Sequence, residues 1–176
     1  RYFHERFVSL VLSSDDKKFC DVGVGSGFYS RQILCASPQS IGTAFDISVY
    51  AQNYATMQMA AFGLLDRWQC KLQNVLSQTT EETWPFLMSV EVLEHLEDPL
   101  SFLRRLREML RRDGTGFITA ALTAPNEDHI YLYNNAQEII EQLHIAGFEV
   151  VDYLVEKAYE PKKDEPVPQI GAFIVQ

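Results

Sequence analysis

The sequence predicts a three-layer α/β sandwich, in which a mostly parallel β-sheet is covered by helices on both faces. Apolar strand-like runs alternate with helical runs along the 176 residues, and parallel strands need such helical crossovers. The last two strand-like runs have no helix between them, so we expect an antiparallel hairpin at one edge of the sheet. The length fits one unit, and we expect a single domain over residues 1–176.

The elements follow from hydrophobic periodicity and local stop signals. Helical spacing predicts helices over 2–12, 28–36, 49–62, 99–111 and 136–146. Short apolar runs predict strands over 18–23, 40–46, 68–73, 86–90, 116–122, 148–155 and 170–175. Ser48 is a suitable cap for the third helix, and Gly147 ends the fifth. The pair Asp113-Gly114 predicts a turn into the fifth strand, and the charged stretch 160–168 predicts a mobile loop.

Charge and composition narrow the classes of partner. The net charge of -9 and the pI near 4.9 argue against a broad nucleic-acid surface, because phosphate binding requires clustered cations. We interpret a basic cluster in the fourth helix region as a solvated outer helix face: Arg104, Arg105, Arg107, Arg111 and Arg112. No apolar run approaches the ~18 residues of a spanning helix, so no membrane partner is expected.

The cysteines indicate a reducing compartment. Cys20, Cys35 and Cys70 are odd in number and widely spaced, which favours free thiols in a cytoplasmic protein over a disulfide framework or a zinc site. Cys20 lies in an apolar strand and is expected in the core.

A glycine-rich segment, Asp21-Val22-Gly23-Val24-Gly25-Ser26-Gly27, joins the first strand to the following helix. Glycine suits sharp turns and close approach of the backbone to a ligand. Asp46 ends the next strand, where a carboxylate can bind both hydroxyls of a ribose. A dinucleotide fingerprint would need glycine at position 28, which is Phe28, and the Lys-Ser/Thr ending of a P-loop is absent. The loop therefore predicts a nucleoside ligand of another kind.

Four segments in order carry a family resemblance. The run DVGVGSGFYS at 21–30 resembles motif I of class I S-adenosylmethionine (SAM)-dependent methyltransferases. SVEVLEHLEDP at 89–99 resembles the segment after strand four in their ubiquinone-biosynthesis-like branch, and REMLRRDGTGFITA at 107–120 and AGFEV at 146–150 resemble later parts. The resemblance implies a Rossmann-like, seven-stranded sheet of order 3-2-1-4-5-7-6 with strand 7 antiparallel. It also implies SAM as cofactor and methyl transfer to a small-molecule acceptor, with oxygen as the expected acceptor atom.

The resemblance assigns a set of cofactor-binding residues, which surround the methionine part, the ribose or the adenine of SAM: Asp21, Gly23, Gly25, Gly27, Asp46, Ile47, Asn74, Val75 and Glu91. Gly27 is expected to allow close packing of the following helix. Asn74 departs from the family pattern, in which many members place an acid that binds the adenine amino group. An amide carbonyl can accept the same hydrogen bond.

Catalysis of methyl transfer requires alignment first, and a base only where the acceptor loses a proton. His95 follows strand four and is the candidate base, or else it supports the turn before the next helix. Glu91, Glu94, His95 and His129 together have the ligand types of a divalent-cation site. They resemble metal-dependent O-methyltransferases, but metal-free relatives carry the same motif. The preferred interpretation has no metal.

Acceptor recognition is expected in the first helix and in the loops 124–135 and 160–168. Four aromatic residues form an acceptor pocket or pack in the ordinary way: Tyr2, Phe3, Tyr131 and Tyr133. Two alternatives to a small-molecule enzyme stay open. One is a metal-assisted RNA 2′-O-methyltransferase, and the other is a non-catalytic partner subunit with the methyltransferase fold.

Overall fold

The computed structural model describes residues 2–78, 80–160 and 166–176, without the side chains of residues 2 and 3. The α-helices within this part are α1 (Tyr2–Ser13), α2 (Phe28–Ala36), α3 (Val49–Ala61), α4 (Pro99–Met109) and α5 (Ala136–Ala146). The strands are β1 (Lys18–Val22), β2 (Ile41–Asp46), β3 (Trp68–Leu72), β4 (Trp84–Val90), β5 (Leu110–Leu122), β6 (Val150–Lys157) and β7 (Gln169–Val175). A short 3₁₀ helix, Leu93–His95, follows β4.

The described strands form a seven-stranded sheet of order β3-β2-β1-β4-β5-β7-β6. Strands β1 to β5 pair in parallel, whereas β7 runs antiparallel to both β5 and β6. The predicted order, the terminal hairpin and the single antiparallel strand are confirmed. This order brings the ends of β1, β2 and β4 together at one edge, where ligands of open α/β sheets bind.

Two hydrophobic clusters lie on opposite faces of the sheet. The strands alternate in the expected period of two, so Phe86 and Met88 of β4 point to one face and Leu87 to the other. Helices α1, α2 and α3 cover the first face, and α4 and α5 cover the second. The three-layer prediction is confirmed. The expected role of Cys20 is also confirmed, because its side chain is buried; all three cysteines are free thiols.

The end of α4 differs from the prediction. The helix stops at Met109, two residues earlier than expected, and Leu110 begins β5 opposite Trp84. The pairing then shifts, with Thr115 opposite Phe86, so residues 111–114 form an irregular stretch of the strand. The predicted turn at Asp113-Gly114 before the strand is therefore wrong. Burial of Leu110 against the sheet decides the boundary, which helical periodicity cannot show.

The basic cluster is not one solvated helix face. Arg111 and Arg112 belong to β5, and Arg105 is buried. Only Arg104 and Arg107 fit the expected helix surface, and the Arg107 Nε donates to the Gly147 carbonyl at 3.0 Å. A helix that covers a sheet buries one face, and Arg105 lies on that face with Phe102 and Leu106.

No helix among the described residues is both long and apolar enough to cross a membrane. The predicted mobile loop at 160–168 falls largely outside the described residues. So do the side chains of Tyr2 and Phe3.

We predict that Gly27→Ala destabilises the fold more than Gly63→Ala. Both glycines have positive φ, 73° and 66°, so alanine is strained at either position. A Cβ at Gly27 would lie 3.1 Å from the Ala55 Cβ of α3, whereas one at Gly63 would meet nothing within 4 Å. The expected extra cost at Gly27 is about 1–3 kcal/mol, measured by urea unfolding. Equal costs would show that Gly27 is not a packing contact.

Candidate active site

The glycine loop between β1 and α2 has the backbone geometry of a ligand-binding turn. Gly23, Gly25 and Gly27 have φ values of 80°, 51° and 73°, which glycine adopts without strain. A Cβ at Gly23 would lie 2.4 Å from a Val92 methyl group, so the loop packs directly on the segment after β4. A Cβ at Gly25 would meet nothing within 4 Å. The loop is therefore tight on one side and open at Gly25.

Asp46 connects this loop to the next helix. Its Oδ2 accepts a hydrogen bond from the Gly25 amide at 3.1 Å, and its Oδ1 accepts one from the Ser48 amide at 2.8 Å. The Ser48 hydroxyl in turn accepts from the Ala51 amide and caps α3, as predicted. Each carboxylate oxygen has a further lone pair. Asp46 can therefore accept hydrogen bonds from a ligand while it holds the loop.

A cavity of about 210 Å³, here called the β2–β3 cavity, opens beside Asp46. Five of the predicted cofactor residues line it: Gly23, Asp46, Ile47, Asn74 and Val75. His95 and Phe102 complete the wall on the α4 side. The Asn74 Oδ1 accepts from the Leu76 amide at 2.9 Å and so shapes the loop after β3. These residues therefore line one concave site.

Arg105 donates hydrogen bonds to the loop that forms one wall of this cavity, a role that its predicted place on a solvated helix face did not indicate. Its Nε donates to the Val75 carbonyl at 3.1 Å, and its NH2 nitrogen donates to the Thr80 carbonyl at 3.1 Å. A signal was present in the sequence, because Arg105 follows Phe102 by three residues on the apolar side of α4.

A second cavity of about 180 Å³, here called the α1 cavity, lies under α1 on the other face of the sheet. Its polar lining comprises His4, Tyr29, Glu91, Thr119, Glu156 and Lys157. Glu91 lines this cavity and its neighbour Val92 lines the β2–β3 cavity. The end of β4 therefore separates two cavities. Apart from Glu91, the sequence analysis identified none of these polar residues, because widely separated elements supply them.

Glu91 is held in a strained position between the cavities. Its φ is 53°, which is uncommon for a residue with a side chain. The Thr119 hydroxyl accepts from the Glu91 amide at 3.0 Å and donates to the Glu91 carboxylate at 2.7 Å. Burial, and next the nearby Glu94, raise the pKa of Glu91 to about 7. The side chain is thus a half-buried acid whose pKa lies near neutral pH.

Asp21 is a second acid at this end of the sheet, and it is buried. It is 3% exposed at the end of β1, and the Ser30 hydroxyl donates to it at 2.6 Å. Burial raises the pKa of Asp21 to about 7, although the hydrogen bond from Ser30 opposes that shift.

Glu94, His95 and His129 form a compact cluster, in which one ligand atom of each residue lies within 4.8 Å of the others. The His95 Nδ1 is 2.8 Å from the Asp128 carbonyl and the His129 Nδ1 is 2.6 Å from the Ala124 carbonyl. A carbonyl only accepts, so each Nδ1 carries the proton and each Nε2 keeps its lone pair.

Glu94, the third member of the cluster, has a carboxylate oxygen that could bind a cation. Its Oε2 is buried without a hydrogen-bond partner among the described residues. These three side chains fit a divalent cation. Glu91, the fourth predicted ligand, is not part of the cluster, because its carboxylate is turned to Thr119.

The two tyrosines of loop 124–135 pack in the ordinary way. Tyr133 is fully buried and donates to the Gln142 side chain at 2.9 Å. The Gln142 amide donates to the Tyr131 hydroxyl at 3.0 Å. Neither tyrosine lines the α1 cavity or the β2–β3 cavity.

We predict that Asp21→Asn changes the pH dependence of stability. The pKa of Asp21 is raised from 3.8 in the unfolded chain to about 7, so folding requires an unfavourable buried charge as the pH rises through this range. The free energy of unfolding of the wild type should therefore fall between about pH 5 and pH 8 by about 1–3 kcal/mol more than that of the variant. Urea unfolding at both pH values measures this difference. The exposed Asp113→Asn is the control, and identical pH profiles for all three proteins would contradict the assignment.

Comparisons with known proteins agree with this geometry. The family model described as methyltransferase domain matches residues 20–116, more than half of the chain. The ubiquinone biosynthesis O-methyltransferase of Parvibaculum lavamentivorans is 28% identical over 130 residues, which are 74% of this chain and 50% of the relative. That of Histophilus somni is 31% identical over 108 residues, 59% of this chain and 44% of the relative. The chain thus spans about half the length of these relatives.

Solved structures share the fold at low sequence identity. The O-methyltransferase from a trans-AT PKS multienzyme of Brevibacillus brevis, in complex with S-adenosyl-L-homocysteine (SAH), superposes with a TM-score of 0.78 at 14% identity; the match covers 98% of this chain and 71% of that one. An S-adenosylmethionine-dependent methyltransferase from Clostridium acetobutylicum gives a TM-score of 0.74 at 12% identity over 99% and 89% of the two chains. Together with the family match, the fold and the glycine loop lead to one conclusion: the chain belongs to the methyltransferase domain family.

Proposed function

We propose that residues 1–176 form one catalytic domain that transfers the methyl group of SAM to an oxygen of a small-molecule acceptor. The single observation that carries this proposal is the Asp46 carboxylate, which is held between the Gly25 and Ser48 amides at the mouth of the β2–β3 cavity. The relatives named ubiquinone biosynthesis O-methyltransferase support oxygen as the acceptor atom. The net charge of -9 gives no support to an RNA substrate.

The proposed cofactor site extends from the β2–β3 cavity to the end of β4. Asp46 would accept hydrogen bonds from the ribose hydroxyls, Ile47 and Val75 would hold the adenine, and Asn74 would bind its edge; all four residues line the cavity. The open backbone of Gly25, together with Asp21 and Glu91, would hold the methionine part. Asp21 and Glu91 are suited to this end of the site, because a cationic ligand stabilises their ionised forms.

We propose that the acceptor binds in the α1 cavity, with its reactive oxygen at the end of β4. SAM supplies an activated methyl group when bound, so the main task of the protein is alignment, which contributes up to about 7–11 kcal/mol in favourable cases. Two groups near this point can accept the acceptor proton. Glu91 lines the α1 cavity, and the Nε2 of His95 has a free lone pair at the adjoining cavity.

A metal-assisted version is a second proposal, favoured by the Glu94 Oε2, which is buried and has no hydrogen-bond partner in the described part of the chain. Glu94, His95 and His129 would hold the cation. A divalent cation there would favour loss of a proton from a hydroxyl beside it.

We predict that the protein binds SAH and that Asp46→Asn weakens this binding about 10–100-fold, because one charged acceptor for the ribose is lost. Isothermal titration calorimetry measures both affinities. The exposed Asp113→Asn makes the same change in net charge and should bind like the wild type. Wild-type affinity in Asp46→Asn would remove this carboxylate from the site, and failure of the wild type to bind SAH would overturn the proposed function.

The metal proposal predicts that one Mn²⁺ binds per chain in the presence of SAH, measured by calorimetry or electron paramagnetic resonance. His129→Ala should weaken Mn²⁺ binding at least about tenfold, since one of three protein ligands is removed. His144→Ala, which removes an exposed histidine of α5, is the matched control. Absence of Mn²⁺ binding, or equal binding by both variants, would refute the metal site and leave the metal-free reaction in place.

A further inference from the structure

We infer that Arg105 is a positioning residue of the cofactor site: from α4 it fixes the loop after β3 and thereby sets the affinity for the adenosine part of the ligand. This inference rests on the proposed function, because it takes the β2–β3 cavity to be the adenosine site. Arg105 itself is not among the residues that line the cavity. It acts through the loop.

The loop after β3 forms one wall of the cavity with four consecutive residues, 73–76. Internal hydrogen bonds give it a compact turn, in which the Asn74 carbonyl accepts from the Ser77 and Gln78 amides at 3.2 and 2.9 Å. The Gln73 amide also donates to the Asp46 carbonyl at 2.8 Å, which ties the start of the loop to β2. The turn does not by itself fix the position of the residues that follow. That position needs a contact from another element.

Arg105 supplies this contact at two points. Its Nε binds the carbonyl of Val75, within the cavity wall, and its NH2 nitrogen binds the carbonyl of Thr80, four residues beyond the last lining residue of the loop. A planar guanidinium holds both carbonyls in one fixed geometry, whereas the single ammonium of a lysine has no such fork. The two bonds therefore fix the loop in position and orientation.

The same face of α4 that carries Arg105 also forms the cavity wall opposite the loop. Phe102 lines the cavity from α4, and Arg105 follows it by three residues on the same helix face. One face of α4 thus provides both an apolar wall and the anchor for the facing loop. A shift of either contact would change the width available to a planar base.

The carbonyl contacts, rather than the ion pair, are expected to matter. Arg105 also binds Glu108 at 2.7 Å, but the Glu108 side chain is 65% exposed. An ion pair of this kind contributes little, because water screens it. The Arg105 side chain is itself only 10% exposed, and its bond to the Val75 carbonyl is buried while that to the Thr80 carbonyl is partly buried. This difference separates Glu108 from the proposed mechanism and makes it a useful control.

The test measures SAH and adenosine binding by calorimetry for the wild type, Arg105→Lys, Arg105→Met, Arg104→Met and Glu108→Gln. Arg105→Met is expected to weaken SAH binding about 10–100-fold, and Arg105→Lys about 3–10-fold. Adenosine, which carries only the base and ribose, should lose affinity by the same factor. Arg104→Met, an exposed change on the same helix, and Glu108→Gln should bind like the wild type.

Urea unfolding at several temperatures identifies one at which each variant is fully folded. The binding affinities are compared at that temperature. A merely structural role would lower stability and leave both affinities at the wild-type value, which would overturn the inference. Unchanged adenosine binding with weakened SAH binding would also overturn it. If Arg105→Met does not fold, the SAH and adenosine affinities of Arg105→Lys decide between the two outcomes. A wild type that binds neither ligand refutes the proposed function itself, and the inference with it.

Discussion

Two backbone amides from different parts of the chain meet at the carboxylate of Asp46. The Gly25 amide belongs to the glycine loop and the Ser48 amide to the start of α3, so one side chain sets the position of both relative to β2. Gly27 of the same loop packs closely on Ala55 of α3, which begins beside Ser48. The loop also packs on the segment after β4. The β2–β3 cavity lies at the ends of β1, β2 and β4, and the α1 cavity adjoins it at the end of β4.

Two carboxyl groups at the carboxyl ends of β1 and β4 are in environments that disfavour their ionised forms. Burial raises the pKa values of Asp21 and Glu91 to about 7, and Glu91 also has a strained backbone conformation. Such features decrease the stability of the fold, and proteins retain them chiefly where a ligand or reaction uses them. A cationic cofactor at this position offsets part of the cost, because it favours the ionised carboxylates. The geometry thus links marginal local stability to the proposed binding of SAM.

The sequence predicted the features that depend on local order along the chain. The glycine loop, Asp46 and the cap Ser48 follow from spacing between neighbouring elements, and the sheet order follows from the family resemblance. The predicted end of α4 was wrong because the pairing of Leu110 with Trp84 is a long-range contact, which local periodicity does not show. The position of Arg105 beside Phe102 on α4 was visible in the sequence, but its partners Val75 and Thr80 were not, because they belong to a loop distant in sequence.

A crystal structure of the protein with SAH tests the central claim most directly. The account predicts adenine in the β2–β3 cavity between Ile47 and Val75, and both ribose hydroxyls within hydrogen-bond distance of the Asp46 carboxylate. The methionine part should extend past Gly25 toward Glu91. SAH bound elsewhere, or bound in this cavity with its ribose away from Asp46, would contradict the account.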